Sequence, residues 1–104
     1  MFGITKKINF IKITLKNDKL DLFYDPCITS LDKPYIDIIK TAIDRVIECN
    51  HLDSLSRKSE YVLLSVVESS NGLETFSENA GRSLSDQNRS LLIAFLESIK
   101  KELK

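Results

Sequence analysis

Two runs of alternating apolar and polar residues open the chain. Asn17 and Asp18 lie between the runs and supply turn residues, because both types tolerate left-handed backbone. Alternation of this kind is typical of half-buried strands, and Ile11 marks a bulge or a change of phase. The pattern predicts a β-hairpin that ends at Asp25-Pro26. The alternating apolar positions are Ile8, Phe10, Ile13 and Leu15 in the first run and Leu20, Leu22 and Tyr24 in the second.

From Ser30 the apolar spacing changes to three and four residues. Asp32 is a suitable helix cap, and Pro34 fits the first turn, where its missing N–H has no partner to lose. The spacing predicts an amphipathic helix over about residues 33–49. Its buried stripe consists of Ile36, Ile39, Ile43, Val46 and Ile47.

The second half of the chain predicts further helices. The spacing of Leu55, Val62, Leu63, Val66 and Val67 favours a helix from about residue 54 to residue 69, although the β-branched stretch 61–67 also fits a strand. The next two helices are predicted from start signals that resemble capping boxes. Asn71 and Glu74 open a short helix that Gly81 ends, and Ser83 and Asp86 open the last helix, about 84–103. The inward side of that last helix carries Leu92, Phe95, Leu96, Ile99 and Leu103.

These elements predict an α+β domain in which the N-terminal β-hairpin is followed by three or four packed helices. A length of 104 residues is close to the commonest size of one domain, so residues 1–104 are expected to share a single core. No internal repeat is apparent along the chain.

The charge balance argues against nucleic acid as a partner. Fifteen basic and fifteen acidic residues cancel, whereas nucleic-acid-binding domains usually carry a basic excess. The first apolar run is too polar for a signal peptide and too short to span a membrane. We therefore expect a cytoplasmic protein without a membrane segment, in which Cys27 and Cys49 stay reduced.

Sequence motifs of catalysis and cofactor binding are absent. The chain has no P-loop, no dinucleotide-binding glycine motif, no nucleophile elbow and no zinc-protease motif. Cys49 and the single histidine, His51, are two positions apart, so a helix would not bring them to one face. The acidic pair Asp44 and Glu48 is typical of a solvated helix surface. The sequence thus predicts no enzyme, no cofactor and no metal site.

Carboxylates are frequent in the first half of the chain. Some form a row with Thr41 on the predicted first helix, and others lie in the hairpin. If they converge, they form a negative surface that suits a basic partner protein. The alternative is a solvated helix face that Lys40 and Arg45 neutralise. The candidate partner-binding residues are Asp18, Asp21, Asp37, Asp44 and Glu48.

In size, composition and this acidic helix, the chain resembles the small bacterial immunity proteins that neutralise a cognate toxin. The resemblance includes no family motif. It implies a non-enzymatic inhibitor that binds a basic toxin domain, such as a nuclease, and covers its active site. The alternative function is that of a small regulatory or nucleic-acid-associated helical protein, in which Arg82, Gln87 and Arg89 contact nucleic acid after a turn at Gly81.

Overall fold

The computed structural model describes residues 8–49 and 59–103. Four strands and two α-helices alternate as hairpin, helix, hairpin, helix. A short 3₁₀-helix precedes each α-helix, at Pro26–Ser30 and at Gly81–Ser83. The main elements are β1 (Ile8–Lys16), β2 (Lys19–Tyr24), α1 (Lys33–Cys49), β3 (Glu60–Ser69), β4 (Gly72–Phe76) and α2 (Asp86–Glu102).

The strands form one antiparallel sheet in the order β2-β1-β3-β4. The two helices contact each other and lie on the same face of this sheet, α1 against β3 and β4, and α2 against β2. One hydrophobic core fills the space between the sheet and the helices. Its fully buried side chains include Ile11, Ile13, Leu64 and Val66 from the sheet and Ile39, Ile43, Leu92 and Leu96 from the helices.

The predicted N-terminal hairpin is confirmed. Asn17 and Asp18 form its turn with φ angles of 49° and 68°, the left-handed values that a two-residue hairpin loop requires. The pairing of β1 with β3 shifts register between Asn9 and Ile11, as the phase change predicted. This bulge leaves Phe10 and Ile11 buried side by side.

The prediction of three or four helices after the hairpin is wrong. Within the described residues there are two α-helices, and residues 60–76 form a second hairpin. A second bulge, at Leu63, is the physical reason for the error, because it buries Leu63 and Leu64 consecutively and breaks the strand alternation. The resulting apolar spacing imitates a helix, and the β-branched interpretation of residues 61–67 is the right one.

The predicted short helix after Asn71 is also wrong. Ser70 and Asn71 form the turn between β3 and β4, and Gly72 follows with a φ angle of 104°. The start of the predicted second helix, up to residue 58, lies outside the described residues.

The two longer helices are confirmed. Helix α1 keeps its predicted bounds, and α2 begins at Asp86. The Ser85 hydroxyl caps α2 by accepting a hydrogen bond of 3.1 Å from the backbone N–H of Asn88. The buried stripes also agree, with Ile47 and Phe95 half-buried at their margins.

The fold repeats itself, although no repeat is apparent in the sequence. The helices start at residues 33 and 86 and end at residues 49 and 102, so the offset is 53 positions. The same offset carries the first hairpin onto the second, since the pair Lys12–Phe23 becomes Ser65–Phe76. It also carries the Phe10 bulge onto the bulge at Leu63.

The central pairing of β1 with β3 obeys the same symmetry. The pair Thr14–Val62 maps onto Asn9–Val67, and the pair Lys12–Ser65 maps onto itself. A pseudo-two-fold axis therefore runs perpendicular to the sheet, between β1 and β3, at Lys12 and Ser65.

The symmetry yields a paired prediction for the core. Ile39 and Leu92 are equivalent and fully buried, so Ile39→Ala and Leu92→Ala should each lower the free energy of unfolding by about 2–5 kcal/mol. The neighbouring Ile38→Ala and Leu91→Ala remove equally large but half-exposed side chains and should change it by at most about 0.5 kcal/mol. Urea denaturation measures all four; equal losses at the buried and half-exposed positions would contradict the assigned core.

A second prediction concerns the contact between α2 and β2. The Tyr24 hydroxyl donates a hydrogen bond of 2.5 Å to Glu102, and the Tyr24 ring meets Phe95 edge-on. Burial, and then Glu102, raise the pKa of Tyr24 to about 12. The neutral phenol is favoured in the folded state, so its contribution to stability is complete below about pH 10 and is lost as the pH rises towards 12.

Absorbance titration of tyrosinate, with Tyr24→Phe as the reference, isolates this group. In Glu102→Gln the midpoint should move down towards 10, because the carboxylate no longer opposes the phenolate. A midpoint near 10 in the unsubstituted protein would refute the contact.

Candidate functional site

The predicted acidic residues separate into two groups. Asp37, Asp44 and Glu48 lie on one stripe of α1, because positions 37, 44 and 48 are seven and four residues apart. Asp18 lies in the turn of the first hairpin, and Asp21 lies on β2 opposite Thr14. Asp21 projects from the face of the sheet that the helices leave uncovered. The five carboxylates therefore do not form one negative surface.

Asp44 holds the two helices together. Its carboxylate accepts a hydrogen bond of 2.7 Å from the Lys100 ammonium of α2. This hydrogen bond raises the pKa of Lys100. Asp44 is therefore engaged within the molecule.

Asp18 also has an internal partner. The Asn88 side-chain amide donates to the backbone carbonyl of Asp18 at 3.0 Å and to its carboxylate at 3.3 Å. These hydrogen bonds fix the first hairpin turn to the start of α2. Asp18 therefore helps to hold the first hairpin in position against α2.

The outward stripe of α1 keeps two exposed carboxylates, Asp37 and Glu48. Asp37 forms a solvent-exposed ion pair of 3.4 Å with Lys33, and such pairs hold a side chain only weakly. Next to it Ile38 is half-exposed. Ile38 borders a groove of about 350 Å³ between α1 and Thr75 at the edge of the sheet, whose other lining residues are Asp37, Thr41, Ala42 and Arg45.

The uncovered sheet face is a second candidate surface, which the sequence analysis missed. Alternate residues of all four strands project from it, and Phe23, Lys12, Ser65 and Phe76 form one row across the sheet. Both phenylalanines are about half-exposed. The available signal was their phase, since Phe23 alternates with the inward Leu22 and Tyr24.

Charges on the uncovered sheet face are balanced. The residues are Lys12, Lys16, Lys19, Asp21, Glu60 and Glu74. A groove of about 640 Å³ crosses its centre, between Lys12 on β1 and Phe76 on β4. Among the described residues, the face has no basic excess that would favour a polyanion.

The predicted nucleic-acid contact residues do not follow a helix and turn. Thr75 lies on β4, which ends at Phe76, and residues 77–80 lead from it to Gly81 without regular secondary structure. Arg89 pairs with Asp86 at 3.1 Å, while Gln87 is exposed. The position of the Arg82 side chain is outside the described part of the structure.

Residues 8–49 and 59–103 contain no group of three His, Cys, Asp or Glu side chains that could hold a metal ion. Cys27 is an exposed free thiol, and a hydrogen bond to Asp25 together with that carboxylate's charge raises its pKa. A raised pKa lowers the thiolate fraction at neutral pH. Cys49 and His51, which the sequence does not predict to pair, lie outside the described side chains.

Neither α1 nor α2, the α-helices of the described residues, is long and apolar enough to cross a membrane. Comparison of the chain with protein-family models, with curated proteins and with solved structures finds no match.

The different roles of the three α1 carboxylates are testable. Asp44→Asn should lower the urea midpoint, because it removes the negative charge that pairs with Lys100 between α1 and α2, whereas Asp37→Asn and Glu48→Gln should leave it nearly unchanged. Added salt should reduce the difference between Asp44→Asn and the unsubstituted protein, since a half-exposed ion pair is screened. Equal midpoints for all three variants would show that Asp44 does not tie the helices.

Proposed function

We propose that this chain is a non-catalytic inhibitor that binds a basic protein in a one-to-one complex in the bacterial cytoplasm, as immunity proteins bind their toxins. The observation that carries the proposal is the outward side of α1, where the exposed carboxylates Asp37 and Glu48 accompany the half-exposed Ile38. The size, composition and neutral charge of the chain, and its resemblance to immunity proteins, support the same function.

Ile38 supplies the apolar part of this surface. Covering its exposed half would contribute about 1 kcal/mol to binding. The groove beside it gives a partner side chain a concave place to fill. An apolar contact ringed by polar and charged residues is the usual arrangement of an energetic centre in a protein interface.

Asp37 and Glu48 supply the charge. They are eleven positions apart on α1, which corresponds to about 16 Å along a helix, so together they span much of one side of a standard interface. Exposed carboxylates at this spacing attract a basic surface and speed association. Lys33 and Arg45 lie nearby, and a partner carboxylate facing Arg45 would add specificity.

The test uses a charge reversal on α1 with a matched control on α2. Asp37→Lys with Glu48→Lys changes two exposed carboxylates eleven positions apart, and Asp86→Lys with Glu97→Lys makes the same change at the same spacing on the other helix. The unsubstituted chain and the α2 variant should retain a basic protein from their own cells in equimolar amount. The α1 variant should lose it, because its side chains repel a basic surface.

The captured protein must then be purified and titrated. If the proposal is right, its toxic or enzymatic activity falls linearly and ends at one equivalent of this chain. Retention of the same protein by the α1 variant would remove α1 from the interface. Recovery of nucleic acid alone, or inhibition that needs far less than one equivalent, would contradict a stoichiometric inhibitor.

A further inference from the structure

We infer that the uncovered sheet face binds the same face of a second copy of this chain, so that two sheets pack face to face and the helices cover the outside of the dimer. This surface is separate from the outward side of α1. The inference therefore stands independently of the proposed function.

The uncovered sheet face carries apolar side chains at outward positions. An antiparallel sheet can leave one face in water when the outward positions are polar. Here Val62 and Val67 lie at the centre, and Phe23 and Phe76 lie on the two edge strands in one row. Three gaps between strands separate the phenylalanines, or about 14 Å, so a flat surface at least as wide as the whole sheet is needed to cover both.

The uncovered sheet face is also complementary to itself. A second copy can be related to the first by a two-fold axis that runs parallel to the strands between β1 and β3. Each β1 position then faces the corresponding β3 position of the second copy, and each β2 position faces β4. Phe23 meets Phe76 of the second copy at both edges, and Thr14 faces Val62 near the centre.

The charged side chains of the face also fit the two-fold axis parallel to the strands. Lys16 and Glu60 are direct neighbours on β1 and β3, so the rotation places Lys16 opposite Glu60 of the second copy, and this contact occurs twice. Lys12 faces Ser65. A two-fold axis across the strands, along the Lys12–Ser65 row, would instead place Lys12 over Lys12, and the cost of two like charges in contact disfavours that arrangement.

The area of the uncovered sheet face determines how strong a dimer we expect. The uncovered sheet face measures roughly 19 Å across the strands and about 25 Å along β1. Two such faces bury about 1,000 Å² in total, at the lower limit of specific interfaces. Facing sheets pack about 10 Å apart with strands about 30° from alignment, which keeps the central contacts in register. We therefore expect a reversible dimer with a micromolar dissociation constant.

Sedimentation velocity on the purified chain, from about 1 µM to about 1 mM, brackets such an equilibrium. Phe23→Asp and Phe76→Asp should each weaken the dimer at least roughly tenfold. The controls are Ile38→Asp and Leu91→Asp on the helices: Ile38 and Leu91 are 47% and 49% exposed, compared with 48% for Phe23 and 54% for Phe76. Both controls should dimerise like the unsubstituted chain, and circular dichroism verifies that each variant is folded.

A charge exchange provides a test that does not depend on aspartate in the apolar centre. Lys16→Glu and Glu60→Lys should each weaken the dimer by roughly fivefold, because each creates two like-charge contacts. An equimolar mixture of the two variants should regain the original affinity, since in the mixed dimer each position 16 again faces the opposite charge at position 60. Repulsion within one chain would persist in the mixture, so only contact between chains explains the recovery.

A chain that stays monomeric up to about 1 mM would overturn the inference and leave the face to a different occupant. Equal weakening by the helix controls would also overturn it, and so would failure of the mixture to recover.

Discussion

The antiparallel pairing of β1 with β3 organises the sheet and, through it, the positions of both helices. These two strands lie at the centre of the sheet, and each carries one bulge, at Phe10 and at Leu63. Each bulge turns two consecutive apolar side chains into the core and so supplies more buried area than strict alternation would. The outer strands and both helices take their positions from this pair, since each hairpin extends from one central strand and each helix follows its hairpin.

The two-fold character of that pairing explains how the helices cover the core. Helix α1 follows β2 at one edge of the sheet yet packs against β3 and β4, while α2 follows β4 and packs against β2. Each helix therefore crosses to the other half and buries the hairpin that it does not follow. The Lys100–Asp44 contact joins the two helices, and the Tyr24–Glu102 contact joins α2 to the sheet. Either half alone would leave its apolar stripe uncovered.

Both helices lie on one side of the sheet, and no other element of residues 8–49 and 59–103 covers the opposite face. Two kinds of surface result, one on α1 with exposed carboxylates and Ile38, and one on the sheet with Phe23 and Phe76. They point in different directions, so a dimer through the sheet would keep both α1 surfaces accessible. The two proposals are thus compatible, with one inhibitor surface on each outer side of the assembly.

Sequence reasoning predicted the candidate acidic surface only in part. The row Asp37, Asp44 and Glu48 follows from helix periodicity, and the structure has these residues on one stripe of α1. Helix periodicity does not reveal which of these carboxylates has a partner within the molecule, because Lys100, which donates to Asp44, lies 56 positions away along the chain. Only the frequency of carboxylates in this part of the sequence suggests that Asp18 and Asp21 belong with α1. In the structure Asp18 lies in a turn, and Asp21 lies on the other face of the sheet.

The first hairpin, the two long helices and the apolar stripes of the core are predictable from local sequence patterns. A helix satisfies its backbone hydrogen bonds with residues four positions away, so its periodicity and caps depend on nearby residues, and the turn at Asn17-Asp18 is equally local. The hairpin of residues 60–76 and the exposure of Phe23 and Phe76 depend instead on the packing of distant segments. A strand takes its hydrogen bonds from distant residues, here β1, and a bulge hides its alternation. For a strand whose partner lies far along the sequence, the apolar pattern alone fits both a helix and a strand. The pairing with the distant strand determines which of the two forms.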